Sequence, residues 1–456
     1  MTVARLVSWL ALLVSLSSTV VFAVIYIGSN HVAIIGQEQN VVFGIETLLN
    51  GRLLYRDPTH LPFAVTQYTP LYYEICFQVC RWLGLHANDL QAIYLVGRLT
   101  SAVATIACCC ILAACMWHYG QRDAVTCIAL AFSLPVLIGP WAWVARPDPL
   151  YLMLVFASLL AALRYADTLG IGPLVISCAL LVAGFYTKQT AFFLFPLPIV
   201  VRMARQGWRG ARLRDVLICL LVYAAGSTFL TPLMRDNFAI GLANGIDLSR
   251  AWHKVYLPMV YRVPLLLAAC LAFRARMARH DWMPRAISVA CLWYLLVGAV
   301  LAMKWGSLVN YLDEFIIGCL LLVGTAPALS TGFQNSRQGV VATLLLGLVI
   351  ATQLTSVYDY RGSRWSAMVD RGSLYEAGHA LATDDVLQGQ PVLTLDTTSS
   401  LFIPDRAVFV PLDVLGTAAA AGHFDLGLVT REVQNAAILN SAIAGFCVGS
   451  APFLMG

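Results

Sequence analysis

The feature that most constrains this chain is a series of apolar runs, many of roughly twenty residues, each closed by a short polar segment. The first runs from Leu6 to about Ile27, directly after Arg5. A helix needs roughly 20 apolar residues to cross a hydrocarbon core about 30 Å thick. Spans are expected at 8–28, 92–117, 124–141, 149–165, 171–187, 190–202, 213–231, 256–273, 286–303, 312–330 and 339–357. That makes about eleven. The sixth is short and holds Pro196 and Pro198, so it reads as broken or tilted. Val21-Phe22-Ala23 has the look of a signal-cleavage site, but the run around it is long enough to stay as an uncleaved first span. Composition says the same. The chain is 59% hydrophobic and 12% charged, with a mean hydropathy of +0.76. A soluble fold cannot hide that much apolar surface, so lipid is the solvent.

Orientation follows from Lys and Arg in the short loops. With Arg5 cytoplasmic, the cytoplasmic loops are 118–123, 164–170, 203–212, 274–285 and 331–338. Arg202, Arg205, Arg209, Arg212 and Arg214 flank one of these, and Arg274, Arg276, Arg279 and Arg285 another. The opposite loops are longer and less basic. The N-terminus is therefore expected inside and the C-terminus outside. The net charge of +5 includes no basic, aromatic-interleaved patch, which argues against a nucleic-acid partner. Of thirteen cysteines, most sit inside apolar runs as small packing residues, and no disulfide framework is implied.

The outer loop 29–91 is too apolar for a solvated linker. Val41, Val42, Ile45, Leu48 and Leu49 recur at helical spacing after Glu38, with Gly51 as a stop, and Glu46 is expected on the solvated face. Thr69-Pro70 opens a second helix, 70–83. Both helices are expected in the membrane interface. After the last span, 391–395 and 407–410 read as short strands, with helical stretches near 372–383 and 429–445. The chain thus divides into a membrane domain, 1–357, and a small outer α/β domain, 358–456.

Ionisable residues beside a span are costly and so have a reason. Here they gather on the outer side. Glu38 opens its helix as either a dipole-favoured acid or a general base. In Arg146-Pro147-Asp148-Pro149, Asp148 reads as an N-cap, while Arg146 at a helix N-terminus also suits an anion. Lys188 lies between two spans with almost no loop, either snorkelling to headgroups or binding a ligand. Asn310-Tyr311-Leu312-Asp313-Glu314 opens the tenth span, with Asn310 and Asp313 as plain caps in the bland reading. Arg98, near the outer end of the second span, and Asp57 are weaker candidates. No zinc, calcium or nucleotide motif occurs, though the sequence leaves room for a divalent ion held by loop carboxylates.

This order of motifs resembles the GT-C class of membrane glycosyltransferases, near the protein O-mannosyltransferases and the lipid A aminoarabinose transferases. The resemblance spans nearly the whole chain. It rests on Gln37-Glu38, on Gly44 to Asp57, and on Tyr68-Thr69-Pro70-Leu71-Tyr72. Further along it rests on Arg98 with Ser101, Ala145 to Asp148, Thr187-Lys188-Gln189, Gly306-Ser307 and Asn310-Tyr311. In the tail it rests on the Pro391-Val392-Leu393 strand and Gly422-His423-Phe424-Asp425. One departure stands out: the family's first-loop acidic pair has Asp where this chain has Gln37, leaving Glu38 as the acid.

The resemblance implies an all-α polytopic protein of a bacterial inner membrane, with its site on the periplasmic side. It implies transfer of a sugar from a polyprenyl-phosphate donor to a lipid, glycan or protein acceptor, and leaves the need for a divalent metal ion open. On this basis Glu38 is the expected base. Lys188, Arg146 and Arg98 would hold the phosphate. Asp148, Asp57, Tyr68, Asn310, Tyr311 and Glu314 would line the substrate pocket. Two rivals differ in kind. A transporter or flippase of an anionic or lipid-linked substrate needs polar residues along a mid-membrane path, and these spans are apolar there. A non-catalytic assembly subunit would keep the fold without the chemistry, and the Gln37 departure leaves that open.

Overall fold

A computed structural model describes residues 3–29, 34, 38–60, 63–120, 123–207, 212–242, 245–277, 282–304, 307–326 and 336–368. Of the tail it describes 392–393, 401–402, 409–410, 419, 422, 425, 427–428 and 437–438. The chain is a multi-pass membrane protein built mainly of helices. Among the described residues, seven helical stretches are long and apolar enough to cross a membrane. They are Arg5–Ile27, Leu90–Tyr119, Ala124–Ala142, Asp148–Thr168, Leu248–Arg274, Trp282–Ala302 and Val340–Asp359.

The helices that frame the site are α1 (Val3–Ile27), α2 (Glu38–Leu49), α3 (Leu71–Trp82) and α4 (Leu90–Tyr119). Next come α5 (Ala124–Ala131), α6 (Leu134–Ile138), α7 (Asp148–Thr168) and α8 (Ile171–Phe185). The apolar stretch 190–202 is indeed broken: a 3-10 helix, Gln189–Leu194, gives way at Pro196 to α9 (Leu197–Gln206). Stretch 213–231 holds one helix, and a second follows directly after it. Helix α10 (Leu213–Ser227) and α11 (Pro232–Leu242) are bent by 97° at a short break. Then follow α12 (Leu248–Ala251), α13 (Val263–Met277), α14 (Trp282–Ala302), α15 (Asp313–Gly324), α16 (Ser336–Asp359) and α17 (Arg361–Met368).

Helix α7 is the hub, packed on α4, α8 and α9, while α1 packs on α5 and α16. Trp143, Phe156 and Tyr294 belong to the main core. The outward faces stay apolar: Leu10, Leu13 and Val24 on α1, Leu220 and Leu221 on α10, and Leu292 and Leu296 on α14 are exposed. Such stripes suit lipid and would be a liability in water.

The first long loop has a core of its own. Val41, Val42 and Ile45 of α2 meet Tyr72, Tyr73 and Cys76 of α3, Ile93 and Tyr94 of α4, and Met234 and Phe238 of α11. Gly51, at φ +71, closes α2, and Gly84 closes α3 at the same φ. In each case the glycine N–H and the one after it bond back to the last turn: Gly51 to Leu48, Arg52 to Thr47, Gly84 to Arg81 and Leu85 to Cys80. Pro70 caps α3 where Thr69-Pro70 forecast it. Helix α2 itself is enclosed by protein, with Glu38, Gln39, Glu46 and Thr47 buried. The expected solvated face of Glu46 does not exist: the residue is 2% exposed, with Arg52 and Arg56 of the returning loop near enough to act on its charge.

Among the described residues, four two-residue strands form two parallel pairs. Phe63–Ala64 (β1) of the first loop pairs with Phe409–Val410 (β3), and Val392–Leu393 (β2) pairs with Ala437–Ile438 (β4). Both expected tail strands thus contain strand residues. At 437–438 a strand replaces the helix expected over 429–445, since β2 supplies the ladder partner for its backbone groups. The helix expected near 372–383 lies outside the described residues.

Candidate active site

One end of the bundle collects the polar residues that the sequence singled out. Asp148 begins α7, and its side chain makes no capping bond there. It is 2% exposed and serves as the hub of a charged cluster. Its Oδ1 accepts from Lys188 Nζ at 2.8 Å and from Asn310 Nδ2 at 2.7 Å, and its Oδ2 accepts from Arg146 Nε at 3.0 Å. Arg146 also donates to the Tyr68 hydroxyl and lies 4.8 Å from the Trp141 ring centre. Lys188 Nζ lies 4.9 Å from the Tyr311 ring centre and 5.4 Å from that of Tyr151. Burial would favour a neutral Lys188, but Asp148, Tyr311 and Glu314 outweigh it and raise the ammonium pKa above its ordinary value. Arg146 is likewise held firmly charged against its burial by Tyr68 and Asp148.

Local structure explains why these groups meet. Lys188 sits at the turn between α8 and the 3-10 helix, with its N–H bonded to Gly184 O at 2.8 Å. Gly298 lets α14 approach the 309–312 turn so closely that a Cβ there would clash with Tyr311 O. That approach carries Asn310 to Asp148. Beside it a small cavity is lined by Lys188, Thr190, Tyr294, Tyr311 and Glu314, with Leu194, Val297 and Leu301 as its apolar wall.

A second buried cluster adjoins the first through the backbone. Glu38, fully buried, accepts from Arg98 Nε at 3.1 Å and Nη2 at 3.3 Å, from Ile34 N at 2.8 Å and from Ala145 N at 2.8 Å. Arg98 also donates to Ser29 O at 2.5 Å. Ser101 Oγ bonds to the carbonyl of Arg146 at 3.0 Å and to the Tyr72 hydroxyl at 2.9 Å. Gly97 permits the close approach, because a Cβ there would strike Ala145. Glu38 and Arg98 thus brace the 145–146 backbone instead of joining the Asp148 cluster. A base needs an oxygen free to face an acceptor. Both oxygens of Glu38 are already engaged.

Asp57 is apart from both clusters. It lies in an exposed turn, accepting from Thr59 N at 2.9 Å and contacting His60 Nδ1 at 3.0 Å. Turn geometry, not a pocket, uses its carboxylate. Residues that sequence reasoning passed over include Tyr151, Thr190, Tyr294 and Trp141. Only Tyr151 had a readable signal, one helical turn after Asp148. Among the described residues no three His, Cys, Asp or Glu side chains converge to hold a metal ion.

Glu46 offers a test of the loop's energetics. Burial pushes its carboxyl up to about 9, against a smaller opposing pull from Arg52 and Arg56, and its Oε2 has no hydrogen-bond partner. The folded chain therefore prefers the neutral acid. The stability this lends is full below the ordinary value of 4.5 and is lost as pH rises toward 9. Glu46→Gln should stabilise the protein by about 3 kcal/mol at pH 7 and by almost nothing near pH 4.5. Thermal unfolding in detergent at the two pH values measures this, and an equal gain at both would contradict it.

This architecture has solved counterparts. Two solved structures share it. ArnT from Cupriavidus metallidurans bound to undecaprenyl phosphate is 15% identical at a TM-score of 0.58, covering 91% of this chain and 90% of that one. The same protein in its apo state is 13% identical at a TM-score of 0.62, covering 92% and 90%. No protein-family model matches the chain, and no curated protein does. At this identity the likeness shows the fold.

Proposed function

We propose that this chain transfers a sugar from a polyprenyl-phosphate donor to a lipid, glycan or protein acceptor on the outer face of the membrane. The observation that carries this reading is the buried Arg146–Asp148–Lys188 cluster beside a cavity, at the end of the bundle that the loop charges assign to the outside. A solved protein of this fold holds undecaprenyl phosphate. Lys188 and Arg146 are the phosphate-holding pair. As the bond from the anomeric carbon to the phosphate oxygen breaks, charge grows on the leaving phosphate, and fixed cations in a water-poor site stabilise it. Asp148 keeps both cations aimed, and Asn310, Tyr311, Tyr68 and Glu314 form the sugar pocket. Glu38 and Arg98 position the Ala145–Arg146 segment that presents the Arg146 guanidinium.

Lys188→Ala should weaken undecaprenyl-phosphate binding on the order of 10- to 100-fold, the worth of a charge-assisted bond to phosphate. Binding of the lipid to the purified chain measures this. Unchanged affinity would remove Lys188 from the phosphate site. Radiolabelled lipid crossing the bilayer without release of lipid phosphate would favour a flippase instead.

A further inference from the structure

Between α2 and α3 the chain returns without a helix among the described residues, and covered backbone groups in such a limb need partners. Asn237 of α11 supplies two of them. It is fully buried. Its Oδ1 accepts from Thr66 N at 3.0 Å, and its Nδ2 donates to Arg56 O at 2.8 Å and to Leu233 O, in its own helix, at 2.9 Å. Met234 and Phe238, on the same face of α11, belong to the apolar core of the loop. An amide in such company is costly unless it is bonded, and its bonds to the returning limb offset that cost.

The next residue of α11 acts on the same limb. The Phe238 ring stands edge-on to Tyr55 with centres 5.9 Å apart, and the Tyr55 hydroxyl donates to Tyr68 O at 2.9 Å. Gln189, beside Lys188, donates to Gln67 O at 2.8 Å. Thr66, Gln67 and Tyr68 are therefore each tied by a different side chain. Tyr68 carries the tie onward, because its hydroxyl receives the Arg146 guanidinium. Lys188 is held separately, by Asp148 and by its own N–H on Gly184 O.

We propose that Asn237 is a positioning residue for the transfer: it fixes the returning limb so that the Tyr68 hydroxyl holds Arg146 toward the leaving phosphate. This rests on the glycosyl-transfer reading above. Asn237 acts through Thr66 and Tyr68 and reaches them because α11 is bent by 97° from α10. Its loss frees the limb and lets the Arg146 guanidinium swing, while Lys188 keeps its grip on the lipid phosphate. The rate is then affected more than donor binding.

The test uses native membranes containing the full chain and undecaprenyl phosphates carrying radiolabelled hexose or pentose. In Asn237→Leu, transfer should fall on the order of 10- to 100-fold, the effect of misplacing a group by about 1 Å, with undecaprenyl-phosphate affinity within about 3-fold of wild type. Asn237→Asp keeps the acceptor for Thr66 N and loses the donor to Arg56 O, so it should lie between, and it carries the same test if the leucine variant does not fold. In a Tyr68→Phe background, Asn237→Leu should cost less than about 3-fold further, because both act through one contact. Losses that multiply in full, or affinity that falls in step with rate, would overturn the proposal. Hydrogen exchange of the purified chain reads the clamp without any activity: residues 54–68 should exchange about 10-fold faster or more in Asn237→Leu, with α4 unchanged. An unchanged limb, or an equal rise in α4, would overturn it. A wild-type chain that neither binds undecaprenyl phosphate nor releases it from any donor fails the underlying reading, while the exchange result still decides the clamp.

Discussion

Glu38→Gln is expected to destabilise the fold by about 3–5 kcal/mol, the cost of breaking one partner out of a buried ion pair. Glu38 is fully buried against Arg98, itself 2% exposed, and four donors converge on its two oxygens. A glutamine keeps one acceptor oxygen and turns an amide donor toward groups that can only donate. Arg98 then stays charged and buried with half its compensation gone. Activity should fall as well, because Glu38 holds Ala145 N and so the segment that presents Arg146. The measurement is thermal unfolding of the purified variant beside its transfer rate. A double variant, Glu38→Gln with Arg98→Met, should recover most of the lost stability, since it removes the stranded charge. A Glu38→Gln chain that unfolds within about 1 °C of wild type yet transfers no sugar would return Glu38 to the base role that its motif suggested.

Asp148→Asn is expected to have the largest effect on function. Asp148 is the acceptor shared by Lys188, Arg146 and Asn310, residues 40, 2 and 162 positions away in the chain. The substitution leaves two buried cations facing each other with a neutral amide between them. The empty protein should lose about 3–5 kcal/mol of stability. A bound phosphate would restore the missing negative charge, so added undecaprenyl phosphate should raise the unfolding midpoint more in the variant than in wild type. Transfer should nevertheless fall on the order of 100-fold, because neither cation is then held toward the leaving oxygen. A variant with wild-type stability and an unchanged response to the lipid would show that the three contacts are dispensable.

Much of this protein could be read from its residues because lipid imposes a simple demand. Every spanning helix must be apolar over roughly 20 residues, and its backbone must satisfy itself. Span 92–117 therefore lies within a single helix, Leu90–Tyr119, and 286–303 overruns Trp282–Ala302 by one residue. The break at Pro196 and the helix stop at Gly51 were equally local, set by a missing N–H and by positive φ. The same cost of charge near lipid made Arg146, Asp148, Lys188 and Asn310 conspicuous, and these do form one site. What sequence could not decide was partnership. Glu38 meets Arg98 sixty residues away because α2 packs on α4, and that carboxylate becomes a brace. Glu46 and Asp57 exchanged their expected exposures, since packing encloses one and leaves the other in an exposed turn. Helical periodicity assigns a residue to a face, but only the packing of distant helices determines what that face meets. That difference made a structural carboxylate of Glu38, whose motif suggested a base.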